Sequence, residues 1–216
     1  YFFQSVRFLM SKNIKLIVIA CNTASALAME EAQKVFDIPI IGVIDPGSKA
    51  AAAITKNSTI GVIGTEGTIN SGTYQRKIRK ILPSAEIIGI ACPLFVPIVE
   101  EGWENSDVAY ITAQKYLLEL KEHNIDSLVL GCTHYPALRY TINKVFENKI
   151  TLVNPAYETA KATKIILKEQ NMLSDKLDGG KANFYVSDDP EKFKRIGGNI
   201  LRKEIASVQK VNIENL

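Results

Sequence analysis

Apolar residues in this chain fall into short continuous runs, separated by stretches with helical spacing. The runs at 16–20, 39–44, 59–64, 86–91, 127–130 and 150–153 are four to six residues long and rich in Ile, Val and Leu. Runs of that kind predict strands buried on both faces, as in parallel sheets. Amphipathic spacing predicts helices over 2–11, 110–122 and 157–169; the first carries Phe3, Val6, Leu9 and Met10 on its apolar side. An alanine-rich helix follows the run at 39–44, and a strand-helix-strand unit from 183–187 to 208–213 closes the chain. The alternation predicts an α/β fold of two pseudo-symmetric lobes. Each is a mostly parallel sheet flanked by helices, with the active site in the cleft between them.

The pattern repeats itself. Residues 12–23 superpose on 123–134 at a constant offset of 111 (Cys21 to Cys132), matching Asn13 with Asn124, Ile14 with Ile125 and Val18 with Val129. A helix precedes each copy. The next element repeats at an offset of 109 (Pro46 to Pro155): a strand, an Asx-Pro step at Asp45-Pro46 or Asn154-Pro155, then a helix. The two Asx-Pro steps mark where the chain crosses between lobes. One lobe is therefore expected at 1–45 plus 156–216 and the other at 46–155, with Cys21 in the first and Cys132 in the second. The chain also opens at Tyr1 inside a helix that feeds an interior strand at once, which predicts further sequence upstream.

Each of these cysteines follows an apolar strand and precedes residues able to cap a helix, Asn22-Thr23 or Thr133-His134. The carboxyl ends of parallel strands form the binding crevice of such sheets. A helix start favours thiolate through its dipole, and its N–H groups can receive a carboxylate. Two identical thiols facing each other across a cleft provide a base on one face of a carbon and an acid on the other. That is what inversion of a stereocentre by proton exchange requires. Taken alone, a cysteine after a strand is usually a small buried hydrophobe, and Cys92, unpaired and followed by Pro93, is read so. His134 alone would be a capping or core residue; two positions from Cys132 it becomes a modulator of thiolate charge. His123 is read as surface.

Composition narrows the field further. The 216 residues are 46% hydrophobic and 23% charged, enough apolar material for a real core. The net charge of +3 is spread along the chain, so nothing favours nucleic acid as a partner, while an anionic substrate is tolerated. Three widely spaced cysteines without a CxxC pair argue against a disulfide framework and against a structural zinc site. No apolar run approaches the roughly 18 residues that span a bilayer, and no leader pattern precedes the first strand; a cytoplasmic setting is expected.

IVIACNTASA around Cys21 and LVLGCTHYP around Cys132 closely resemble the two signature motifs of glutamate racemases, within the aspartate/glutamate racemase superfamily. GVIGTEGTINSGTY (61–74), CPLFVPIVEEG (92–102) and FYVSDDPEKF (184–193) resemble that family as well, so the likeness runs along nearly the whole chain. The resemblance implies a racemase using neither pyridoxal phosphate nor metal, supplying D-glutamate for peptidoglycan, with glutamate as its small-molecule partner; homodimers are common among its relatives. It implies that Cys21 takes the α-proton of D-glutamate and Cys132 that of L-glutamate. It further implies that Asn22, Thr23 and Thr133 hold the amino and carboxylate groups, that Thr65 and Thr68 lie near the substrate, and that His134 assists Cys132. Glu100, ahead of Glu101, is an accessory candidate. Thr68 is equally suited to capping the following helix, and both glutamates to plain solvated surface.

The likeness departs at three points. An Asp-Ser pair and a Tyr-Gly loop that the family carries are not in this chain, and NPAYETA (154–160) differs from the family's Asp-Ser version of that segment. Competing readings are an aspartate or hydantoin racemase on the same fold, an inactive piece that only binds ligand, and, more weakly, a thiol peroxidase or hydrolase.

Overall fold

The computed structural model describes residues 1–176, 179–214 and 216. In chain order the elements begin with α1 (Phe2–Met10), β1 (Ile17–Ile19), α2 (Asn22–Val35), β2 (Ile40–Gly42), α3 (Ile44–Ile54) and β3 (Thr59–Gly64). Next come α4 (Glu66–Asn70), α5 (Thr73–Ile81), β4 (Glu86–Ala91), α6 (Phe95–Glu100), α7 (Asp107–Glu122) and β5 (Ser127–Gly131). A 3-10 turn (Tyr135–Leu138) leads into α8 (Arg139–Val145), β6 (Thr151–Val153), α9 (Pro155–Glu169), β7 (Tyr185–Val186), α10 (Pro190–Leu201) and β8 (Gln209–Lys210). The fold is α/β with parallel sheets flanked by helices, as the alternation of runs predicts. No helix among the described residues is long and apolar enough to cross a membrane.

The chain forms two compact units, Tyr1–Lys15 with Leu167–Leu216, and Leu16–Ile166. In the smaller, β7 and β8 pair in parallel with Tyr185 opposite Gln209. Phe8 of α1 meets the Tyr185 ring edge-on at 5.0 Å, and the Gln4 and Arg7 side chains donate to the carbonyls of Glu214 and Leu216. Asp189 caps α10 by accepting from the backbone N–H groups of Glu191 and Lys192.

The larger unit holds a four-stranded parallel sheet in the order β4-β3-β5-β6 and a separate parallel pair, β1-β2. Side chains alternate across the sheet with the pleat, so each strand feeds two cores. Ile60, Val62, Val129 and Val153 pack with residues of α3 and α5, including Tyr74 and Ile78. Ile63, Leu128 and Leu130 pack on the other side with Phe95, Leu117, Tyr135 and Ile142. Helices therefore cover both faces.

Two local expectations are corrected. Asp45-Pro46 lies inside the first turn of α3 rather than at a strand end, because Pro tolerates early helical positions where no N–H is needed. Thr65, not Thr68, caps α4: its hydroxyl accepts the Thr68 backbone N–H. The repeated strand pairs also differ in register. Leu128 stands opposite Leu152, whereas Ile17, its counterpart, stands opposite Ile40 rather than Val43.

Candidate active site

Cys21 follows β1 and is the N-cap of α2, with extended backbone and its sulfur accepting from the Ala24 N–H at 3.5 Å. It is exposed. Cys132 follows β5 in the equivalent place but heads only the 3-10 turn, its carbonyl accepting from the Tyr135 N–H at 3.1 Å. Here the expectation of a helix start that favours thiolate is corrected. Burial pushes the Cys132 thiol above its ordinary value, the nearby Cys21 adds to the rise, and the backbone N–H groups of His134, Tyr135 and Thr133 only partly oppose it. In the absence of substrate, alkylation of Cys132 by iodoacetamide is expected to rise with pH through a midpoint above that of a free cysteine. Peptide mapping of the labelled protein across pH 6–10 (roughly, bracketing the free thiol) measures it, and a midpoint at or below the free value would refute the effect of burial.

The two cysteine turns are tied together. Thr133 Oγ1, next to Cys132, donates to the carbonyl of Ala20, next to Cys21, at 3.0 Å. Residues 113 apart in sequence are thereby held in contact, and both strand ends open to one place. Around Cys132, His134 Nδ1 lies 3.8 Å from the sulfur, and His134 Nε2 lies 3.5 Å from Glu100 Oε1 at the end of α6. With Nε2–H turned to the carboxylate, Nδ1 is left as acceptor for the Cys132 S–H. The imidazolium formed by moving that proton faces a carboxylate. Glu101 is exposed and takes no part in this line.

On the Cys21 side, the hydroxyls of Thr23, Thr65 and Thr68 form a triangle with edges of 2.8, 3.2 and 3.1 Å. Three mutually bonded hydroxyls can each redirect a donor or an acceptor to a polar ligand without leaving a buried group unpaired. Asn22 is buried, and its Oδ1 accepts the Tyr74 O–H at 2.7 Å. The structure thus brings together Cys21, Asn22, Thr23, Thr65 and Thr68 in one cluster and Cys132, His134 and Glu100 in another, with Thr133 joining the two.

Cys92 lies in the apolar core that also holds Cys132, and its carbonyl accepts the Tyr135 O–H at 2.8 Å. It is fully buried, its sulfur faces the Ile90 carbonyl, and burial pushes its thiol far above the usual range. His123 pairs with Glu86 at the surface. Tyr74 was not singled out by the sequence reading. The available signal was its spacing from Ile78, which puts both on the inner face of an otherwise polar helix.

Residues 2–163 match the model of the Asp/Glu/Hydantoin racemase family. The chain is 44% identical over 214 residues to a glutamate racemase of Geobacter metallireducens, covering 99% of this chain and 79% of that one. It is 40% identical over 210 residues to a glutamate racemase of Syntrophus aciditrophicus, covering 97% and 78%. Among solved structures it is similar to a glutamate racemase isoform of Bacillus anthracis, with a TM-score of 0.93 at 37% identity over 97% of this chain and 78% of that one. A glutamate racemase of Francisella tularensis, crystallised in complex with D-glutamate, gives 0.91 at 34% identity over 99% and 79%.

Proposed function

The chain belongs to the Asp/Glu/hydantoin racemase family, and from that premise we propose that it interconverts L- and D-glutamate by proton transfer between two thiols, with no cofactor. The Cys21 thiolate takes the α-proton of D-glutamate, leaving the electron pair on the α-carbon. The Cys132 S–H then delivers its proton to the opposite face, giving L-glutamate, a Cys21 thiol and a Cys132 thiolate. The reverse reaction uses the same groups with roles exchanged. A raised Cys132 pKa suits this cycle, since it keeps the proton on Cys132 until the carbanion calls for it.

Asn22, Thr23 and Thr133 hold the α-amino and carboxylate groups, and Thr65 and Thr68 line the substrate beside them. His134 accepts from Cys132 when that residue acts as base, and Glu100 supports the imidazolium. The lobes in this reading are 1–45 with 156–216, and 46–155, with the substrate between the cysteine of each. The product is D-glutamate for peptidoglycan, made in the cytoplasm. The observation that carries the proposal is the bond from Thr133 to Ala20, which joins the turns bearing two matched cysteines.

Incubation in D₂O tests it. The α-proton of both L- and D-glutamate is expected to exchange, and polarimetry to show decay to an equal mixture, while aspartate and hydantoins stay unchanged. Exchange with aspartate or a hydantoin instead would transfer the chain to those racemases. Saturable binding of glutamate without exchange would make it a ligand-binding module.

A further inference from the structure

Tyr74 lies in the seam between the two cysteine turns. It is fully buried on α5, and burial keeps its hydroxyl protonated, so it acts there as a donor. The O–H reaches Asn22 Oδ1 at 2.7 Å, one residue after Cys21. The ring edge lies against Gly131, one residue before Cys132: a Cβ built on Gly131 would stand 3.3 Å from Tyr74 Cε2. A Cβ on Gly47 would stand 3.3 Å from the hydroxyl. Glycine at both positions makes room for the phenol, and one rigid ring touches the neighbour of each cysteine.

We propose that Tyr74 is a positioning residue for the racemisation: its hydroxyl locks the Asn22 side chain, and its ring sets the separation of the two cysteine turns. The inference rests on the racemase reading above. Its chemistry follows from the donor inventory. An amide whose oxygen is held by a phenol must turn its NH₂ the other way, where two N–H donors are available to an anionic group on the substrate. Without the phenol the amide is free to flip, and acceptor would replace donor. The ring adds a steric limit, since neither the β3 backbone beside Gly131 nor the α5 backbone under Tyr74 yields easily in a close-packed core. Proton transfer between two fixed groups is sensitive to such placement, a misplacement of about 1 Å being worth roughly a hundredfold in rate.

Tyr74→Phe keeps the ring and removes only the hydroxyl. It is expected to lower kcat/KM for glutamate racemisation by about tenfold to a hundredfold. Ile78→Val, one turn further along the same buried face, serves as the stability control and is expected to leave kcat/KM within twofold (roughly, for a change away from the site). The discriminating measurement is a double-mutant cycle. In an Asn22→Ala background, Tyr74→Phe should add little further loss, because its effect passes through that amide. An active wild type in which Tyr74→Phe costs no more than Ile78→Val, or in which its loss simply multiplies with that of Asn22→Ala, overturns the positioning role and leaves the racemase reading intact. A folded wild type that exchanges no glutamate α-proton overturns both.

Discussion

Cys21→Ala and Cys132→Ala each lower glutamate racemisation at least ~10³-fold, the scale expected when a general acid or base is removed from a proton transfer. The loss is expected with the fold retained. One sulfur atom is deleted in each case, Cys21 is exposed, and Cys132 is a minor contributor to a core anchored by Phe95, Leu117, Tyr135 and Ile142. The two variants should not be silent in the same way. The remaining thiol can still take and return a proton on its own face, so with Cys21 alone the α-proton of D-glutamate exchanges with D₂O without inversion. With Cys132 alone the same holds for L-glutamate. Proton NMR of each pure enantiomer, with circular dichroism of the protein as the folding control, reads both effects. Racemisation within tenfold of the wild type (about two orders short of the expected loss) in either variant would remove that cysteine from the mechanism.

Gly131→Ala is expected to be the most damaging glycine-to-alanine change among the described residues. Its Cβ would lie 2.6 Å from the Ile63 carbonyl oxygen on β3 and 3.3 Å from the Tyr74 ring. The first contact is with backbone in the middle of the sheet, where Ile63 and Leu130 are paired in register, so no side-chain rotation relieves it. Forcing extra atoms into such a core costs about 1–3 kcal/mol, and the upper end applies where the obstacle is backbone. For a chain of this size about 3 kcal/mol corresponds to a fall in Tm of about 6–12 °C. Activity should fall further than stability accounts for, since the displaced strand end carries Cys132. A thermal midpoint within 2 °C of wild type (roughly the spread of a neutral surface change) would show that the β3–β5 seam has room that the close approach denies.

Much of the architecture was legible along the chain because it is written in contiguous residues. The runs at 59–64 and 86–91 coincide with β3 and β4 to the residue, since strands covered by helices are mostly apolar; the exception is the exposed Glu86 that starts the edge strand β4. The equivalence of Cys21 and Cys132 was equally legible, because an internal repeat sets them at matching positions. His134 beside Cys132 is a local fact, two residues of turn. Where a cap or a boundary depends on one turn of geometry, the sequence was less decisive: Thr65 and Thr68 are both plausible caps by type, and only the extended backbone at Thr65 selects it.

What the sequence by itself determined is the class of fold, the order of its strands and the equivalent placement of two cysteines, all carried by periodicity and repetition. Tertiary structure alone decided how those cysteines are held and why the Cys132 thiol is raised. The bond between Thr133 and Ala20 spans 113 residues and that between Tyr74 and Asn22 spans 52, and no local pattern encodes either. The register of β1 on β2 is offset by three residues from that of its repeat, β5 on β6. The upward shift of Cys132 arises from desolvation, which depends on everything packed around a group rather than on its neighbours in the chain. Periodicity is a property of the segment, whereas burial and long-range bonding are properties of the assembled core, and the chemistry of this site depends on the second.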